Sequence, residues 1–326
     1  MRHSHRFWRP ALALLCGAAS LALTPARAAP FAYLTAQKAN TVVVIDLASR
    51  APVATIAVGK SPVGIAVVDA TSRAFVTNAD DGTVSVIDTA ARKVIGTLHV
   101  SGGAVGIAAL ADGSRVFVND WYKNTVVVFD GMTLAETGRI AVGHVPSGIT
   151  VDSIGKRLYV ANRDDNAIQI IDIPTLKTLA TVAAGRHPFG IALTPDRKML
   201  YAVNVESNDV SAIDVTDPLH PREVARLPVG DTPYCIAIAP DGRKAYVTNQ
   251  HGDSISVIDL STMKVTGKVA VGGYPEGVGF AADGKRAYVV NWMDDNVSVI
   301  DPATDTVIGT FDGGTNNRAV GQFIGK

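Results

Sequence analysis

From residue 31 onward the chain runs through short apolar stretches, rich in Val, Ile, Thr and Tyr, that are separated by Gly, Pro, Asn and Asp. Stretches of this length and composition are strand signals, and no helical period is sustained after residue 30. One set of four reads Tyr246-Val-Thr-Asn249, Ser254-Ile-Ser-Val-Ile-Asp259, Lys264 to Val271, and Gly277-Val-Gly-Phe280 behind a Gly-Gly-Tyr-Pro turn. Asp-Gly pairs at 112–113, 241–242 and 283–284 supply the positive φ that tight hairpins need.

The same set of four recurs. Tyr33, Phe75, Phe117, Tyr159, Tyr201, Tyr246 and Tyr288 are equivalent, at spacings of 42, 42, 42, 42, 45 and 42 residues, and an aspartate stands 13 residues after each of them. Gly64, Gly106, Gly148, Gly190, Cys235, Gly277 and Ala319 form a third landmark in the same register. A period near 42 with four strands per unit predicts an all-β, seven-bladed β-propeller with four antiparallel strands per blade over residues 29–326. The first unit opens at its second strand, Phe31-Ala-Tyr-Leu34, so its missing inner strand has to come from Ala319 to Ile324, closing the ring with the C-terminus.

Phe75-Val-Thr-Asn78 and Tyr246-Val-Thr-Asn249, each followed by a Val/Ile-rich strand ending in Asp, resemble the YVTN β-propeller repeat, and the resemblance covers residues 31 to 326. It implies a bacterial, exported protein. Proteins with such repeats include ligand binders, surface and periplasmic proteins, and the cofactor-bearing domains of some oxidoreductases, so the resemblance speaks to fold more than to activity.

Residues present in every unit serve the blade. The seven strand-end aspartates, Asp46 to Asp301, are expected to accept backbone N–H groups in Asx turns. Asn78, Asp120, Asn162, Asn204, Asn249 and Asn291 are expected to cap the following turn. Pro62, Pro146, Pro188, Pro233 and Pro275 fix the chain as it re-enters the sheet, and the glycines two places on allow close packing near the axis.

Residues 1–28 differ in kind. Arg2, Arg6 and Arg9 precede an apolar run from Ala11 to Leu23, and Ala26-Arg27-Ala28 makes a small-x-small cleavage site. This reads as a signal peptide cleaved near Ala28, and the run is short of the roughly 20 residues of a membrane span. Periplasmic or secreted location follows, without a transmembrane anchor. Cleavage removes four arginines and no acid, leaving 26 Lys and Arg against 30 Asp and Glu. A mildly acidic chain argues against nucleic acid as a partner. Only Cys235 survives cleavage, so no intrachain disulfide is expected and a monomer stabilised by packing is the reading.

Function is sought where the sevenfold pattern breaks. The loops entering each blade and the loops between second and third strands share one face, around the funnel mouth. The entry loops bring Lys60, His144, Arg186, His187, Tyr234, Tyr274, Glu276 and Arg318 to that face. The other loops bring Trp121, Tyr122, Arg163 and Trp292, the two tryptophans at one repeat position in units three and seven. Cations with large aromatics suit a ligand that is anionic, aromatic or both, with Arg186 and Arg318 on the anion. His144, His187 and Asp231, on successive entry loops, are weak candidates for a metal site. Cys235, in place of a landmark glycine, reads as a small apolar filler.

No phosphate-binding glycine loop, zincin helix, Cys-x-x-Cys, nucleophile elbow or haem-attachment motif stands after residue 28, so no cofactor is assigned. The expectation is an exported, non-enzymatic propeller that binds a small ligand or another exported protein on its funnel face. The alternative is an enzyme or redox accessory resembling cofactor-bearing propellers, or a propeller lactonase or lyase.

Overall fold

A computed structural model describes Met1 and residues 30–325. Residues 2–29, on which the signal-peptide reading and Cys16 fall, lie outside the described residues. Seven antiparallel sheets follow one another along the chain, and among the described residues the single helix is one 3-10 turn, Asp69–Thr71. The molecule is a seven-bladed all-β propeller with four antiparallel strands per blade. No helix among the described residues is long and apolar enough to cross a membrane.

Blade two shows the local logic. Its strands are Pro62–Val68, Arg73–Asn78, Thr83–Asp88 and Lys93–His99, from the axis outward. The inner two are buried, the third nearly so, and the outermost is largely exposed. That gradient explains why continuous apolar runs mark inner strands and mixed runs mark outer ones. Landmark aromatics Tyr33, Phe75, Phe117, Tyr159, Tyr201 and Tyr246 are at most 1% exposed, so each fills the wedge between its own sheet and a neighbour.

The inner strand enters with a bulge. Pro62 pairs with Asn78 and Ile65 with Val76, leaving two residues, Val63 and Gly64, outside the register, and the other complete blades repeat this. A Cβ at Gly148 would fall on the carbonyl oxygen of Phe189 in the next blade, and Gly64, Gly106, Gly190 and Gly277 face the corresponding carbonyls. Where the second strand carries a hydroxyl or amide, it bonds that same carbonyl: Thr77 Oγ1 to Val105 O at 2.9 Å, Asn119 Nδ2 to Ser147 O at 2.8 Å, Thr248 Oγ1 to Glu276 O at 2.9 Å. Blade contacts blade here through backbone.

The strand-end aspartates make Asx turns. Asp46 accepts the N–H groups of Ala48 and Ser49 at 2.8 and 3.0 Å, and Asp88, Asp130 and Asp259 repeat the pattern. These backbone bonds hold the carboxyls of Asp46 and Asp130 below the ordinary carboxylate range. The asparagines differ from the turn caps expected. Asn78, Asn204, Asn249 and Asn291 are fully buried and donate across their hairpin to the third strand, as from Asn249 Nδ2 to Ser254 and Ser256 at 3.2 and 3.1 Å. Glycines of the entry loops lie directly against them, Gly59 on Asn78 and Gly230 on Asn249, and that cover excludes the solvent a turn cap would meet.

The C-terminus closes the ring in three pieces. Asn317–Arg318 pairs with Ala36 and Thr35, and Ile324–Gly325 with Ala32 and Phe31, which completes blade one. Between them Val320–Gln322 crosses to run parallel to the inner strand of blade two, Val320 beside Gly64. Gly321 makes the crossing at φ +111, its α-carbon against the Ile65 carbonyl, where a side chain would clash. Phe323 returns to the core at 1% exposure, and its carbonyl accepts the N–H of Tyr33 at 2.9 Å. Burying Phe323 alone is worth about 2 kcal/mol. Deleting residues 319–326 is therefore expected to lower the melting temperature by about 6 °C or more, and a truncated chain melting within about 2 °C of the full one would refute this closure.

Candidate functional site

Six of the seven entry loops place their residues by the same two hydrogen bonds; in the loop into blade three Gly82 stands where the others carry the accepting Asn or Asp. His187, Thr232 and Tyr274 stand just before the inner-strand proline with φ of 53, 52 and 53°. Their N–H groups are held by the side chains of Asn166, Asn208 and Asp253, which end hairpins of the preceding blade, at 2.9 Å each. Their carbonyls accept from the hairpin of their own blade, as Trp292 N to Tyr274 O at 3.1 Å. Left-handed backbone at a bulky or β-branched residue costs energy, and two bonds per loop offset it. The result is a stiff rim on which varied side chains are presented.

Those side chains fall into two aromatic runs. In the first, Arg163 stands over the Trp121 ring at 5.9 Å, Trp121 meets Phe189 at 6.5 Å, and Phe189 stacks on Tyr234 at 4.1 Å between centroids. In the second, His251 meets Tyr274 at 5.6 Å, Tyr274 meets Trp292 at 5.3 Å, and Arg318 stands over Trp292 at 5.6 Å. Tyr122 and Met293, the residues after the two tryptophans, are 74% and 64% exposed. Both loop tips thus present a large side chain to solvent.

Both runs reach the axis at Tyr234, Glu276 and Arg318. Arg318 Nη2 bonds Glu276 Oε1 at 2.7 Å, and Gln250 Nε2 donates to the same oxygen at 3.1 Å. Glu276 is completely buried and Arg318 half-buried. Burial pushes the Glu276 carboxyl up, against the pull of Arg318. Burial works most strongly against the Arg318 charge, but Glu276, Tyr234 and Cys235 together outweigh it and the guanidinium is held above its ordinary value. Glu276 Oε2, Arg318 Nε and Trp292 Nε1 are buried without a hydrogen-bond partner among the described residues. An acceptor and two donors thus remain unsatisfied within one small region.

The remaining candidates stand further out. Lys60 is exposed on the rim of blade two. Arg186 is exposed and donates to the Glu206 carbonyl at 2.9 Å, while Arg318 is engaged by Glu276, so the two arginines do not form a matched clamp. His144 Nδ1 lies 2.7 Å from Asp165, which raises its pKa, and His187 Nδ1 lies 2.7 Å from Glu206. Asp231 accepts from Thr232 at 3.2 Å. Each metal candidate thus has a separate partner, and among the described residues no group of three or more His, Cys, Asp or Glu side chains is placed to hold a metal ion.

Phe189 and Gln250 join this site without having been singled out. Phe189 shares the repeat position of Tyr234, Glu276 and Arg318, and Gln250 that of Trp121, Arg163 and Trp292, so the broken symmetry held the signal. Cys235 is buried on the axis beside this cluster, and desolvation, with Glu276 second, drives its thiol pKa far up.

A family model described as YNCE-like beta-propeller matches residues 99–217 and 177–286, more than half of the chain. Hydrazine synthase of Kuenenia stuttgartiensis is structurally similar with a TM-score of 0.71 at 21% identity, over 79% of this chain and 88% of that one. A functionally unknown protein from Desulfotomaculum acetoxidans gives 0.78 at 13% identity, over 88% of this chain and 98% of that one. The dihydro-heme d1 dehydrogenase NirN, in complex with DHE, gives 0.68 at 18% identity, over 90% of this chain and 66% of that one. At these identities the likeness is one of fold. No curated protein sequence matches the chain.

Two outcomes follow. Because burial raises the Glu276 pKa above its unfolded value, the stability linked to this group is full below the ordinary carboxylate range, about pH 4, and is lost as pH rises through the folded value. Glu276→Gln removes that dependence. The melting temperature of the variant relative to the parent should climb as pH rises above about 4, and a constant or falling difference would refute the assignment. The Cys235 thiol should stay inert to a disulfide reagent at pH 8 until the chain is unfolded, and rapid labelling of the folded protein would overturn its buried placement.

Proposed function

We propose that this chain, which belongs to the YNCE-like β-propeller family, is an exported, non-enzymatic binding protein whose entry-loop face takes a planar aromatic ligand bearing an anionic group. The observation that carries this reading is the convergence of two aromatic runs, each with a guanidinium over a tryptophan, on one face of the ring. Stacking on Trp121 and Tyr122 holds the plane of the ligand, and Arg163, Lys60 and Arg186 supply positive charge around it. Arg163 is itself paired with Asp164 at 2.6 Å, so an anion competes with that carboxylate. The buried Glu276 and Arg318 pair forms the floor and supplies rigidity.

A second reading, a cofactor-bearing redox accessory, draws on the likeness to hydrazine synthase and to NirN, whose structure holds DHE. The same aromatic face suits a flat macrocycle. The two readings separate on one observation: a visible absorption band in the purified protein favours the second.

The test of the first is a thermal-shift screen of aromatic acids against the parent and the Trp121→Ala and Arg163→Ala variants. Arg318→Ala is unsuitable, since removing one partner of a buried pair costs about 3–5 kcal/mol and confounds binding with folding. Hits should raise the parent's melting temperature by about 3 °C or more and lose most of that shift in both variants. Equal shifts in all three proteins would refute the proposed face.

A further inference from the structure

The axis of the ring is not filled along its length. Beneath the layer formed by Phe189, Tyr234, Glu276 and Arg318 lies a cavity of about 880 Å3 that opens on the opposite face, where Pro30, Asp69, Asp283 and Arg286 stand at its mouth. Phe189 and Cys235 stand at its closed end, and none of the tryptophans or arginines of the candidate face lines it. Glu276, completely buried in that layer, separates the cavity from the entry-loop face.

The walls are apolar, with Ile149, Ile191, Ile238 and Phe280 half-exposed to the axial space. Among the described residues, the inner strands of blades three to seven pair with no strand on their axial edge, whereas that of blade two takes Val320–Gln322 there. The space therefore combines aliphatic walls with backbone N–H and C=O groups that have no strand partner. Water against such walls loses hydrogen bonds, and an apolar solute displacing it gains affinity. The volume lies in the range of small-molecule sites, about 300–1,000 Å3. At the mouth two carboxylates stand with one guanidinium, which leaves no excess positive charge to hold an anion.

We infer that this axial cavity is a second binding site, for a small uncharged molecule with an aromatic or alicyclic body and one or two hydrogen-bonding groups. It shares only Phe189, its floor, with the entry-loop face, and it stands whether or not that face binds a ligand. Apolar side chains select the body of the molecule, and the open strand edges take its polar atoms.

The probe is N-phenyl-1-naphthylamine, uncharged and fluorescent in apolar surroundings. The parent protein should bind one equivalent. Ala192→Phe and Ala237→Phe, which add bulk to cavity-lining positions, should each weaken binding about tenfold or more while circular dichroism and melting temperature are kept, and Met293→Ala, on an exposed loop tip of the other face, should leave binding unchanged. Unaltered affinity in both phenylalanine variants, a stoichiometry other than one, or loss of binding in Met293→Ala would overturn the inference. Should either phenylalanine variant fail to fold, crystals of the parent soaked in 1-bromonaphthalene decide it: an anomalous bromine peak beside Ile191 and Phe280 supports the site, and the absence of one there refutes it.

Discussion

Everything in this molecule depends on how closely neighbouring blades approach at the axis. In five of the seven blades the bulge glycine of the inner strand lies against a carbonyl of the next blade, and a second-strand Thr or Asn reaches the same row of carbonyls in several blades. A side chain at Gly148 would push two blades apart and open the ring on one side. The bulge also sets what faces the funnel. In blades five to seven the residue before the landmark position is turned out of the sheet register at the axial end, so Phe189, Tyr234 and Glu276 meet there, and Arg318, paired with Thr35 in blade one, joins them.

Much of the fold was legible because repetition averages out local ambiguity. One Val-rich run is a strand or a buried helix segment; seven in register, each with an aromatic and an aspartate thirteen residues apart, are blades. The aspartates read correctly because an Asx turn is local, made within three residues. The asparagines did not, because their burial depends on glycines about nineteen residues away in an entry loop. The closing segment was placed in the right blade, while its excursion to blade two hinges on the backbone of Gly321 and leaves no apolar pattern.

The candidate face was legible as a set of residues but not as a set of interactions. Arg318 reads as a free cation until the ring is closed and its neighbour is Glu276, 42 residues earlier in sequence and adjacent in space. One ion pair thereby belongs both to the closure of the ring and to the floor of the face. The axial cavity was not legible at all, since it comes from the width of a sevenfold ring rather than from any residue in it.

Closure by the C-terminal residues also orders events in time. Until Asn317 to Gly325 are present, the strand Phe31–Ala36 has a bare inner edge and blade one lacks its innermost strand. A chain emerging from its N-terminus therefore carries an unpaired apolar edge throughout its synthesis, the kind that joins to other chains. The ring becomes one cooperative body only when Asn317 to Gly325 are in place, so nine residues of 326 protect the first strand.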